Sequence, residues 1–358
     1  MSSLETSRST HNERLASYGI NFPLCLAPMV GLTHIALRLV VRQYLPLGAE
    51  VPWPTEMLNS RRLPNEKVGF TPETFRADEE TFLMPQILGN DEKAIRESIK
   101  RLEIWGAQGI DINMGCPVQK ALKHNYGVAL MGDPQYAADV VRMATQSTKL
   151  PVSVKLRAAG TSSDFQYLLD FVTGLHESGA AWICLHPRTA AQKRRGSADW
   201  SQIKTLREAV SFPVVGNGDI QTVQDVYQMQ EQTGCDLVMS GRGLAARPWM
   251  LWQMAEDRGL ELPEALRNRE APRTPEEEGA EYGRCLLQFS ELCEKYFGED
   301  LGLRKVRFYI RTTSVWLQFG HTLVSLSTKS RNFEELRNNL LDFFKVPQVM
   351  HSYTELRQ

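Results

Sequence analysis

Short apolar runs recur over the first 245 residues, and amphipathic stretches with helical spacing separate most of them. The runs are LCLAP (24–28), VPWPTEM (51–57), FLMPQIL (82–88), GIDINMG (109–115), PVSVKLR (151–157), AAWICLH (180–186), FPVVGNG (212–218) and DLVMSGR (236–242). Most of these eight segments are apolar on both faces, the pattern of parallel strands covered by helices. Among the intervening stretches, residues 90–107 place Ala94, Ile95, Ile99, Leu102 and Trp105 on one face behind an expected N-cap at Asn90. Residues 133–148 and 200–210 behave likewise. Eight strand-then-helix units predict a closed TIM (β/α)8 barrel, a fold of about 250 residues. An open doubly wound sheet is the rival, weakened because no G-x-G-x-x-G follows the first strand.

The alternation stops at RGLELPEALRNREAPRTP (258–275), which is rich in proline and charge and reads as a linker. Thr274, Pro275 and Glu277 then spell a capping box with proline in the first turn. Helical periodicity follows through 282–298, 301–320 and 332–344. The expected organisation is a polar N-terminal tail (1–19), a barrel domain (20–258), a linker (259–274) and a smaller all-α helical bundle (275–358).

Polar residues fall at or near the carboxyl ends of the predicted strands: Met29, Glu56, Gln86, Asn113, Lys155, His186, Asn217 and Arg242, with Met29 the one weakly polar member. In a TIM barrel that rim carries the active site. The last two strands end in GNGDI (216–220) and SGRGLAARPW (240–249). Gly216, Gly218, Gly241 and Gly243 are expected to let backbone amides approach a ligand, and Arg242 adds a charged donor. These are the loops that commonly hold a phosphate in such barrels, whether of flavin mononucleotide, pyridoxal phosphate or a sugar phosphate.

Composition changes this picture in three places. A net charge of −1 excludes a polyanion partner recognised by the overall field, so any nucleic-acid site must come from local clustering. Six cysteines at 25, 116, 184, 235, 285 and 293 form no C-x-x-C pair and predict reduced thiols, with neither a disulfide framework nor a metal site. The polar N-terminus and the lack of any membrane-length apolar run predict a cytoplasmic protein with no membrane partner, a monomer being the default reading. One thiol stands apart. In DINMGCPVQK (111–120), Gly115 is expected to give a backbone other residues resist, and Pro117 to fix the chain after Cys116. On its own this cysteine is equally an inert buried thiol.

APMVGLTH (27–34), DINMGCP (111–117), GVALMGDP (127–134), VKLR (154–157), HPRTAAQKRRGSADW (186–200), GNGDI and SGRG occur in that order. Together they resemble the tRNA-dihydrouridine synthases over about residues 20–250. The resemblance implies reduction of the uracil C5–C6 bond in tRNA, in the D-loop, with NADPH (or NADH) reducing bound FMN and the reduced flavin giving hydride to C6. It implies Cys116 as the acid at C5, and the flavin lying on Pro28 and Met29 with Gln86 and Lys155 at its ring. His186 would approach the ring or ribityl side. Asn217, Gly218 and the Gly241–Arg242 turn would hold the phosphate, with Asp219 also in cofactor contact. Asn113 and Arg157 would contact the uracil. The family's usual His-Gly-Arg-Thr is here His186-Pro187-Arg188-Thr189.

The chemistry accounts for these residue types. Hydride addition at C6 leaves an enolate that needs a proton at C5, and an ordinary thiol, with a pKa of about 8.5, is protonated at neutral pH. A lysine ammonium beside a reduced flavin offsets its negative charge. The tail supplies a basic helix: Arg304, Lys305, Arg307 and Arg311, followed by Lys329 and Arg331, with Phe308, Tyr309 and Trp316 interleaved. Arg304, Arg307 and Arg311 share one face by spacing and are expected to bind tRNA phosphates. Arg194, Arg195, Lys120, Lys123 and His124 could continue that surface. The alternatives are an FMN-dependent reductase of a free pyrimidine or small enone, and a non-catalytic tRNA-binding relative.

Overall fold

The computed structural model describes residues 13–118, 122–160, 164–193 and 195–354. Eight strands form one parallel sheet in the order β1 (Leu24–Leu26), β10 (Leu237–Ser240), β9 (Val214–Asn217), β8 (Trp182–His186), β7 (Val152–Arg157), β6 (Ile110–Met114), β5 (Gln86–Leu88) and β3 (Leu58–Asn59). The first strand pairs in parallel with the last, Cys25 opposite Met239. That pairing curls the sheet into a TIM barrel. A second ladder, β2 (Trp53–Pro54) with β4 (Leu83–Met84), completes the wall.

The third predicted strand is therefore split in two, and the second is reduced to β2, with β3 just beyond its predicted end. Pro54 and Pro85 stand at the breaks, and a proline has no N–H to continue a ladder. The break after Pro54 puts Glu56 between two short strands, at the rim.

Helices cover the barrel where the periodicity placed them: α3 (Glu92–Trp105), α4 (Pro134–Thr145) and α6 (Trp200–Ala209), with α2 (Ile35–Arg42), α5 (Phe165–Glu177) and α7 (Val223–Thr233) between other strands. The cap of α3 differs from expectation. Asp91 accepts the Ala94 N–H, while Asn90 is pulled inward and donates to the carbonyls of His124 and Asn125. At the amino end of the chain, a single turn, Glu13–Ala16, buries Leu15, and Arg14 donates to the carbonyl of Val210.

After α8 (Arg242–Ala246) and α9 (Met250–Asp257) come the irregular residues 258–274, then α10 (Pro275–Thr313). Thr274 and Glu277 make the reciprocal capping box that the sequence predicts. α10 is broken at Gly298, whose φ of 67° no helix interior adopts. The predicted helix over 301–320 ends early, in a 3₁₀ turn at Ser314–Trp316, and a further helix, α11 (Gly320–Lys329), precedes α12 (Phe333–Phe344). The helical unit docks against the barrel through apolar and polar contacts together. The His34 ring of the barrel lies 5.6 Å from that of Phe289 between centroids, Tyr309 Oη donates to Ala245 O at 2.8 Å, and Lys305 Nζ lies 3.2 Å from Glu56.

Candidate active site

A cavity of about 950 Å³ opens at the carboxyl end of the barrel. Pro28, Met29, Gln86, Asn113, Cys116, Lys155, Arg157, His186, Asn217, Gly218, Asp219, Gly241 and Arg242 all line it. Strand register is the reason: they lie on or just after seven of the parallel strands, so the pleat and the barrel tilt aim them at one point.

Cys116 is held by its own strand. Asn113 Oδ1 accepts the backbone N–H of Cys116 at 2.9 Å and that of Gly115 at 3.2 Å. Asn113 Nδ2 donates to Gln86 Oε1 at 2.8 Å, and Gln86 Nε2 donates to Asp111 at 2.6 Å. Ser153 donates to the other Asp111 oxygen. A continuous polar chain thus runs from the buried Asp111 to the backbone of the cysteine. Burial pushes the Asp111 carboxyl up to about 6, against the opposing effect of Ser153, Gln86 and Lys155. The other five cysteines are buried, and Cys116 is half-buried at the cavity. Burial drives the Cys184 thiol up to about 12 and that of Cys235 up to about 11.

The expected role of Gly115 is corrected. Its backbone is not left-handed, and a Cβ there would make only ordinary contacts, 3.5 Å from Arg157 Cγ. The glycine the cysteine needs is Gly127, at φ 58°, where a Cβ would lie 2.6 Å from Cys116 O. The next residue returns a hydrogen bond, Val128 N to Cys116 O at 3.2 Å. GVALMGDP thus packs directly beneath the thiol loop.

Lys155 does not snorkel to solvent. It reaches into the cavity and donates to Asn217 Oδ1 at 3.0 Å, while Asn217 Nδ2 donates to Met239 O at 2.8 Å. Arg157 donates to Gly115 O at 2.9 Å and to Lys193 O at 2.6 Å. The four loop glycines divide. Gly218, at φ 123°, brings the backbone against His186, and Gly241 faces Met29. Gly216 instead makes room for the Met229 sulfur, and Gly243 for the carbonyl of Ile220. Asp219, which also lines the cavity, receives Arg188 at 2.7 Å and the Ala198 N–H at 2.6 Å. A carboxylate so paired orders the loop.

His186 is neutral. Burial, then the cations Lys155, Arg157, Arg188 and Arg242, hold its pKa down at about 2.

The helical unit contributes to the same cavity. Phe308 and Thr312 line its lip, and Phe308 is 41% exposed while Tyr309 and Trp316 are fully buried. The Phe308 ring sits over Gly31, at φ 82°, where a Cβ would clash at 2.7 Å. Its neighbour Lys305 is committed to Glu56, which also accepts the Gly31 N–H at 2.7 Å. Of the basic face, Arg304 and Arg311 are exposed. Arg307 departs from it: half-buried, it donates to the carbonyls of Ser327 and Ser330 at 3.0 and 2.6 Å, closing the end of α11. Arg331 pairs with Glu335 at 2.8 Å. Lys123, His124 and Arg195 are exposed, and Lys120 and Arg194 lie outside the described residues.

Among the described residues, no group of three or more His, Cys, Asp or Glu is placed to hold a metal ion, and no helix is long and apolar enough to cross a membrane. Residues 25–343 match the family model described as Dihydrouridine synthase (Dus). A protein of Mycobacterium tuberculosis named probable tRNA-dihydrouridine synthase is 33% identical over 332 residues, covering 90% of this chain and 82% of that one. A protein of the same name from Rhodobacter capsulatus is 32% identical over 299 residues, covering 83% and 87%. Another from Rickettsia conorii is 30% identical over 298 residues, covering 83% and 86%. The match to the family model spans barrel and helical unit alike, and the chain belongs to the dihydrouridine synthase family.

Proposed function

We propose that this protein reduces uridine in tRNA to 5,6-dihydrouridine, with FMN as its cofactor and NADPH or NADH as reductant. The observation that carries the reading is the placing of Cys116, Lys155 and the Gly218 and Gly241 backbone around one cavity, in a chain of this family. The donor set suits a flavin: an ammonium at Lys155, an imidazole at His186 and two close-approaching glycine backbones. FMN, when bound, supplies the hydride that adds to C6 of the uracil.

The chain's own residues do the rest. Pro28 and Met29 form an apolar floor, Lys155 faces negative charge that develops over the site, and Gly218, Gly241 and Arg242 take the phosphate end. Cys116 gives its thiol proton to C5, and Asn113 fixes the position from which it does so. The resulting thiolate recovers a proton from solvent through the open side of the cavity. A uracil must leave its stack to enter a site this deep. Arg304 and Arg311 hold phosphates outside it. The protein acts in the cytoplasm, where its tRNA substrate and reduced thiols are found.

The test is to incubate the protein with FMN, NADPH and a tRNA lacking dihydrouridine, with free uridine as a parallel substrate, and to quantify the product by mass spectrometry. Dihydrouridine in tRNA alone supports the proposal. Turnover of free uridine with none of tRNA supports a small-molecule reductase. Absence of both, with no flavin bound, leaves only a tRNA-binding role.

A further inference from the structure

We infer that Arg188, held by Asp219, fixes the His186 ring in the tautomer protonated on Nδ1, so that His186 offers the cavity a hydrogen-bond donor. The argument begins with what arginine cannot do. A guanidinium has five N–H donors and no acceptor. Arg188 Nη1 lies 3.2 Å from His186 Nε2, so that nitrogen must be the acceptor of the pair. A neutral imidazole carries one proton, and with Nε2 accepting, the proton resides on Nδ1. The doubly protonated ring is excluded by burial and by the four surrounding cations, Lys155, Arg157, Arg188 and Arg242.

Arg188 is itself immobile. It is only 6% exposed, its Nη2 is shared between both Asp219 oxygens at 2.7 and 2.9 Å, and it also donates to Gly196 O. Asp219 adopts φ 60° to make this contact and is steadied by the Ala198 N–H. On the other side, Gly218 abuts the Cδ2–Nε2 edge of the ring, where a Cβ would come within 3.0 Å of Cδ2. The edge that bears Nδ1 is the one left to the cavity that His186 lines. Whatever atom binds there must therefore accept a hydrogen bond: a carbonyl, a ring nitrogen or a hydroxyl oxygen. Under the proposed function, on which this last step rests, that atom belongs to the flavin. Arg188 is thus a positioning residue that acts through His186, and Asp219 one that acts through Arg188.

Nitrogen NMR of the full chain labelled at histidine reads the tautomer directly, with the His186 signal assigned by its loss in His186→Gln. The spectrum is taken without FMN and after FMN addition, so the tautomer is read even if flavin fails to bind. A proton on Nδ1 and an unprotonated Nε2 are expected in the wild type. Arg188→Met should move the proton wholly or partly to Nε2, and Arg188→Lys, which keeps a cationic donor, should preserve Nδ1–H. FMN affinity should fall about tenfold in Arg188→Met, which corresponds to about 1.4 kcal/mol, and recover in Arg188→Lys. A wild-type ring protonated on Nε2 overturns the inference, whether or not any variant folds. So does a folded Arg188→Met whose His186 tautomer is unchanged, because that would leave Arg188 a packing role alone.

Discussion

The side-chain oxygen of Asn113 accepts the backbone N–H of Cys116 at 2.9 Å, three residues along the same chain. The strand that carries Asn113 thereby dictates where the following thiol sits. Asn113→Ala removes this bond together with the link to Gln86. Product formation should fall by about 10²-fold, the cost of a misplaced reacting group. FMN content should change little, since Lys155 and the glycine loops remain. Single-turnover assays beside a flavin absorbance measurement separate the two effects.

Lys305 and Glu56 join the helical unit to the barrel rim through a largely buried ion pair. Removing one partner strands the other charge, so Lys305→Met should destabilise the protein by about 3 kcal/mol. The double variant Lys305→Met with Glu56→Gln should recover part of that loss, because no buried charge is left alone. Denaturant unfolding of the single and double variants gives the coupling.

Asp111 lends the protein a pH dependence of definite sign. Its folded pKa, about 6, lies above the ordinary 3.8. The folded state therefore binds this proton more tightly than the unfolded state, and the stability it contributes is present below about pH 4 and lost as the pH rises to 6. Asp111→Asn should lack that decline. Urea unfolding of both proteins across this range should show their stabilities diverging by roughly 2–3 kcal/mol, and parallel curves would count against a raised Asp111.

The exposed arginines and the half-buried one should behave differently. Arg304→Ala and Arg311→Ala should each weaken tRNA binding and flatten the plot of log affinity against log salt by roughly 0.7 to 0.9 per phosphate lost. Arg307→Ala should instead lower thermal stability, because its guanidinium closes α11. A slope change in Arg307→Ala with no loss of stability would restore that residue to the binding face.

Much of this was legible before any coordinates. Strand period and helix period specify a barrel because parallel strands buried on both faces leave few other closures. Strand register then specifies which polar residues share the rim. What escaped is carried by tertiary contact. Nothing local distinguishes Gly127, which must be a glycine, from Gly115, which need not be. Asp219 follows a phosphate-loop signature, yet its carboxylate is claimed by Arg188, thirty-one residues earlier. Phe308, Tyr309 and Trp316 are interleaved with the basic residues, yet Tyr309 and Trp316 are core, and only docking against Gly31 sets Phe308 at the cavity lip. Asp111 had a signal that could have been used, an acid within an otherwise apolar strand whose neighbouring strands also carry polar groups.

The central claim is that Cys116 delivers the proton to C5 of a uracil, and Cys116→Ala under single turnover tests it most directly. The variant should bind FMN and accept electrons from NADPH as the wild type does, because neither step uses the thiol. Dihydrouridine formation in tRNA should fall by at least about 10²-fold, the typical cost of losing a general acid. A variant that forms dihydrouridine at the wild-type rate would contradict the account and make Cys116 an inert thiol beside the site.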